Sequence, residues 1–181
     1  MTRLQKLISS SLASPCAAAT PNNNYNYDVF VVQYGPDVRK TLASHLHHRL
    51  LLDRFRVCLD DQEMHQRDTL NSQIKRAIAT VSVHIAIFSP RFAESKWCLE
   101  ELVLMMLESG TTIIPVYYHV KPSDLQIRTG NDEDGVYGQA LLDLVNNSRN
   151  ESNSYTVWIE ALSRVADISG LELESCNGLE F

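Results

Sequence analysis

Four short apolar runs, each about one strand long and each followed by a segment with helical spacing, constrain this chain more than any other feature. They are "YDVFVV" (27–32), "FRVCL" (55–59), "VSVHIAIF" (81–88) and "TTIIPVYY" (111–118). Their apolar residues are nearly continuous and rich in β-branched and aromatic types, the pattern of strands buried on both faces. Between them, Val38, Leu42, Leu46 and Leu50 recur every fourth residue, and Leu70, Ile74, Ala77 and Ile78 share one helical face. "GVYGQALLDLV" and "TVWIEALSRVADISG" supply two further helices. Strand and helix alternating with short connections imply an α/β fold, a parallel sheet with helices on both faces joined by right-handed crossovers. Ligands on such sheets sit beyond the carboxyl ends of the strands, where the strand order switches direction.

A chain of 181 residues with 44% hydrophobic content suits one domain with a short extension. Arg3 and Lys6 are the only charged residues before Asp28, so 14 of the 16 bases face all 22 acids in the body of the chain. An acidic body of this kind excludes nucleic acid as a primary partner, because that affinity rests on clustered Lys and Arg. No apolar run approaches the roughly 20 residues needed to span a bilayer. Cys16, Cys58, Cys98 and Cys176 form no metal or CxxC spacing and are expected to be reduced thiols in a cytoplasmic protein. Residues 1–26, Ser-, Ala- and Asn-rich, are expected to be a disordered extension, with an organellar transit peptide as the alternative because the segment is basic and free of acid.

Other chemistries find no support. The histidines at 45, 47 and 48 lack the i, i+4 geometry with carboxylate support that a metal site needs, so no metal and no resident cofactor are expected. A phospho-receiver of the same fold class needs an acidic cluster after the first strand and an Asp after the third. Gln33-Tyr34 and Ser89-Pro90 stand there instead.

The stretches "YDVFVVQYGPDVRK", "CLDDQEM", "IAIFSPRFAESKWCLEEL", "IIPVYYHVKPSDL" and "VWIEALSRVADISG" together resemble the plant TIR (Toll/interleukin receptor) domain. The resemblance implies a flavodoxin-like TIR fold with a five-stranded parallel sheet over residues 27–172, followed by a tail at 173–181. Many plant relatives continue into a nucleotide-binding module, but no G-x-x-x-x-G-K-[ST] loop occurs here, so a TIR-only protein is expected. It further implies intracellular immune signalling, self-association with other TIR domains as homo- or hetero-oligomers, and NAD⁺ as substrate. A non-catalytic adaptor acting through TIR–TIR pairing is the alternative.

Cleaving NAD⁺ at the nicotinamide bond needs less than ordinary glycoside hydrolysis. Glycosidases use two carboxylates because an alkoxide is a poor leaving group. Nicotinamide leaves a cationic pyridinium as a neutral amide, so one carboxylate that stabilises the oxocarbenium-like charge suffices. In "KWCLEEL" the helical stripe Leu99, Leu102, Val103 and Met106 places both Glu100 and Glu101 away from the core, and periodicity does not choose between them. The resemblance assigns the catalytic role to Glu101. It also implies a substrate-gripping loop after the first strand, Tyr34, Gly35, Pro36, Asp37, Val38 and Arg39, in which Asp37 either caps the following helix or contacts ribose. Trp97 either packs against a ring of the substrate or plugs the domain edge. Gly35 allows close backbone approach, and Arg39 offers a fork suited to phosphate.

Two positions depart from the family pattern. Tyr34 stands where Ser-Phe-Arg-Gly carries its Arg, and a phenol does not replace charge-assisted bonds to a pyrophosphate. Gln66-Arg67 stands where the self-association loop, here "DDQEMHQRD", carries Arg-Gly, and Arg67 is a candidate for the cation missing at Tyr34. His65 in that loop is a candidate for pH-sensitive association.

Overall fold

The computed structural model describes residues 27–59, 72–127, 135–147 and 152–173. The N-terminal extension, the "DDQEMHQRD" loop with His65 and Arg67, and residues 174–181 lie outside them.

Strand β1 (Val29–Gln33) leads through a short helix α1 (Gly35–Val38) and a kinked π-type turn (Arg39–Ala43) into α2 (Ser44–Leu52). Then follow β2 (Val57–Leu59), α3 (Ser72–Thr80), β3 (Val83–Phe88), α4 (Lys96–Leu107) and β4 (Thr112–Tyr118). Helices α5 (Gly138–Asn147) and α6 (Ser152–Ala166) and strand β5 (Leu171–Leu173) complete the order. The five strands are parallel in the order β2-β1-β3-β4-β5, as the flavodoxin-like expectation requires. The chain runs from β1 outward to β2 and returns to β3 on the other side of β1. The switch point is therefore the crevice between the carboxyl ends of β1 and β3.

Strand alternation sorts the core into two layers. Phe30, Val32, Ala86, Phe88 and Tyr117 point to one face, covered by Ile74 and Ile78 of α3, Leu99 and Leu102 of α4, Leu141 of α5 and Leu162 of α6. Val29, Val31, Ile85, Ile87 and Val116 point to the other, against Val38, Ala43 and Leu50. Pro115 is tolerated inside β4 because β5 pairs only from Val116 onward, so Pro115 has no ladder partner on that side.

The first helix differs from the single stripe expected of it. Thr41 takes φ −123° and ψ −105°, which breaks the helix between α1 and α2. The Thr41 hydroxyl donates to the Val38 carbonyl at 3.3 Å, and Ser44 Oγ donates to the Arg39 carbonyl, so side chains satisfy groups that the helix releases. Val38 and Leu50 are buried while Leu42 and Leu46 only lean on the core.

Candidate functional site

Gln33 is the last residue of β1, and its carbonyl accepts a hydrogen bond from Cys98 Sγ at 3.2 Å. That bond ties the first turn of α4 to the carboxyl end of β1. Ser95 caps the helix, its Oγ accepting from the Cys98 N–H at 3.3 Å. Glu101 follows Cys98 by three residues, so it lies on the same side of α4 and about 4.5 Å further along the axis, below the switch point.

Glu101 is buried, with 0% of its surface exposed. This corrects the periodicity reading, which turned both acids away from the core. The inward residues of α4 are Cys98, Leu99, Glu101, Leu102 and Met105, so the helix is rotated by roughly a quarter turn from the expected face. The cause is that α4 is apolar on most sides and packs at once against α3, α6 and β1, which leaves its own pattern ambiguous. Glu100 takes the wet side, within 3.6 Å of Lys96 Nζ. The two adjacent carboxylates that periodicity does not separate therefore occupy different environments.

Across the crevice, Tyr34 and Gly35 begin α1. A Cβ on Gly35 would stand 2.7 Å from Arg39 Nη2, so the guanidinium of Arg39 occupies the space that a side chain at 35 would take. Glycine serves here by size, keeping Arg39 against its own loop. Asp37 is half-buried, Pro36 exposed, and Val38 turned into the second core layer. Trp97 is half-buried and packs against the larger core cluster, as Tyr34 does.

Arg91, a residue that the sequence reading passed over, joins these parts. It follows β3 and reaches across to the loop after β1. Its Nη2 donates to the Tyr34 hydroxyl at 3.1 Å, and its guanidinium stands 5.2 Å from the Tyr34 ring centroid. Its backbone N–H donates to Asp37 Oδ2 at 3.1 Å, and its Nε donates to Glu94 Oε2 at 2.9 Å. Burial pushes the Tyr34 phenol above its ordinary range, against the opposing pull of Arg91. The hydrogen bond to Glu94 raises the Arg91 guanidinium above its already high ordinary value. A second phenol, Tyr137, donates to the Ser89 carbonyl at 2.7 Å just after β3 and is held well above its ordinary value by burial. Arg67, the candidate cation for Tyr34, lies outside the described residues; among those described, Arg91 is a cation that meets Tyr34. The signal was weak in sequence, since an Arg in "SPRFAE" reads as a solvated loop residue and its partner lies 57 positions away.

Two described clefts lie elsewhere. One of about 360 Å³ is lined by Lys75, Glu100, Leu104 and Trp158, and one of about 350 Å³ by Tyr27, Cys58, Ile74 and Arg76. Neither includes Glu101. Among the described residues no group of His, Cys, Asp and Glu could hold a metal ion, and no helix is long and apolar enough to cross a membrane.

Comparison with known proteins bears on this arrangement. The family model described as TIR domain matches residues 26–179. Over 111 residues the chain is 40% identical to the probable 2′ cyclic ADP-D-ribose synthase BdTIR of Brachypodium distachyon, covering 61% of this chain and 49% of that protein. It is 32% identical over 163 residues to the disease resistance protein RML1B of Arabidopsis thaliana, covering 88% of this chain but 15% of the relative. The chain thus spans a small part of the larger resistance proteins that it matches. Among solved structures, the TIR domains of the activated Roq1 resistosome, which directly recognises the pathogen effector XopQ, superimpose with a TM-score of 0.72 at 31% identity, covering 83% of this chain and 90% of that one.

Proposed function

This chain belongs to the TIR-domain family, and from that premise we propose that it acts in immune signalling by cleaving NAD⁺ at the nicotinamide bond, with Glu101 as the catalytic carboxylate. The observation that carries the reading is the placement of Glu101 one helical turn below the bond that ties α4 to the carboxyl end of β1. The name of the synthase relative, which concerns a cyclic ADP-ribose, points the same way.

The chemistry follows from charge. As the bond between the ribose and the nicotinamide nitrogen lengthens, the electron pair returns to the pyridine ring, which leaves neutral. Positive charge gathers on the ribose, where one carboxylate in a water-poor site stabilises it strongly. Water then attacks to give ADP-ribose and a proton, or a hydroxyl of the same molecule attacks and loses its proton to give a cyclic ADP-ribose. The loop Tyr34–Arg39 and Trp97 would hold the substrate, with Arg39 toward its phosphates.

In a single chain Glu101 is closed off from solvent. Cleavage therefore requires the crevice to open, and self-association with further TIR domains is the step proposed to open it. The decisive experiment follows nicotinamide release from NAD⁺ by purified protein, dilute and crowded, beside Glu101→Gln. Turnover that appears on crowding and disappears in the variant supports the enzyme.

The same burial favours a second reading, in which the carboxylate stays sealed and the domain serves only as an adaptor. Intact TIR binding with no nicotinamide release at any concentration would establish that reading.

A further inference from the structure

Arg91 stands at the switch point with 52% of its side chain in solvent. We propose that Arg91 grips the diphosphate of the dinucleotide, an assignment that rests on the NAD⁺ reading above and names the residue that orients the substrate there. Three observations carry it.

The first is position. Arg91 follows β3 and contacts the loop after β1, so it spans the crevice in which sheets of this topology bind ligands. The second is donor supply. A guanidinium has five N–H groups. Nε is engaged by Glu94 and one N–H of Nη2 by the Tyr34 hydroxyl. Nη1 stands 4.0 Å from Asp37 Oδ1, an ion-pair distance too long for a hydrogen bond. Three N–H groups in a planar fork remain for an incoming phosphate. The third is preorganisation. The backbone bond to Asp37, the contact with Glu94 and the Tyr34 ring beneath the guanidinium hold it in place before a ligand arrives, which lowers the entropy lost on binding.

The neighbouring carboxylates, Asp37 and Glu94, keep their charge and weaken the attraction for phosphate, but neither takes up the three remaining N–H groups. Asp37 is occupied by the Arg91 backbone N–H and Glu94 by Nε. Arg39, folded against Gly35, is a further guanidinium in the same loop. Arg91 thus brings a guanidinium to Tyr34 itself, at the position where the plant family pattern carries an Arg.

The test compares binding of ADP and adenosine, two probes that differ by the diphosphate, to the full chain at the concentration used for turnover. The wild type should prefer ADP. Arg91→Gln should reduce that preference by about 10- to 100-fold, the worth of charge-assisted bonds to one phosphate group. Arg91→Lys, which keeps the charge and loses the fork, should retain part of it and guards against a Gln variant that fails to fold. Absence of an ADP preference in the wild type, an unchanged preference in both variants, or equal loss of both ligands as from a structural defect would each overturn the proposal. Nicotinamide release measured in parallel separates the two readings. Turnover with an Arg91-independent ADP preference leaves the NAD⁺ reading standing and removes Arg91. An Arg91-dependent ADP preference without turnover does the reverse.

Discussion

At the scale of single residues, Gly35 beside the crevice and His84 near the amino end of β3 show how little room the fold leaves around a side chain. A Cβ at position 35 meets only the far end of the Arg39 side chain, so Gly35→Ala should fold with stability changed by less than about 1 kcal/mol. The displaced guanidinium should instead raise the KM for NAD⁺ several-fold at nearly constant kcat, a split that steady-state nicotinamide release would read. His84 is fully buried in β3, with Nε2 at 3.0 Å from the Ile78 carbonyl. A carbonyl only accepts, so Nε2 carries the proton, and Nδ1 is left as a bare acceptor with no partner among the described residues. Burial lowers its pKa below the ordinary 6.5. The unfolded chain takes up a proton below that pH while the folded chain resists, so the stability due to neutral His84 is complete above 6.5 and declines as pH falls toward the folded value. Urea titrations from pH 7.5 to 5 should show this loss, and His84→Leu should flatten it. An unchanged slope in the variant would assign the acid sensitivity to other groups.

At the scale of elements, what the sequence disclosed follows from how strongly each segment's pattern depends on its neighbours. The strands were legible because a run such as "VSVHIAIF" suits only burial on both faces, and the observed β3 is Val83–Phe88. The face of α4 was not legible, because "KWCLEELVLMML" is apolar on most sides and its orientation is set by α3, α6 and β1 together. The break at Thr41 was hidden too, since the four-residue spacing of leucines continues straight through it. The Tyr34–Arg91 contact depends on tertiary structure alone. The approach to β5 is tight: a Cβ on Gly170 would stand 2.6 Å from Tyr117 Cε2 and 2.7 Å from the Pro115 carbonyl. Backbone cannot step aside as Arg39 can. Gly170→Ala should therefore cost about 1–3 kcal/mol, seen as a melting temperature lower by several degrees. Ser95→Ala, which removes the cap of α4, should cost about 0.5–2 kcal/mol. It should also loosen the helix that carries Glu101, so activity should fall further than stability does.

At the scale of the whole molecule, the folded chain holds its candidate catalyst behind a crevice that Arg91, Tyr34 and Asp37 bridge. A carboxylate with no exposed surface meets no substrate until something moves. On this account activity belongs to an assembled state, and the rate per chain should rise with protein concentration instead of staying constant. The measurement that bears most directly on this is nicotinamide release per chain across a dilution series, for the wild type and for Glu101→Gln. The account predicts a wild-type rate that climbs as chains associate. It also predicts a variant slower by about 100-fold or more at every concentration, the scale set by loss of a preorganised electrostatic group. Equal rates for the two proteins, or no release by the wild type even when TIR association is complete, would contradict it.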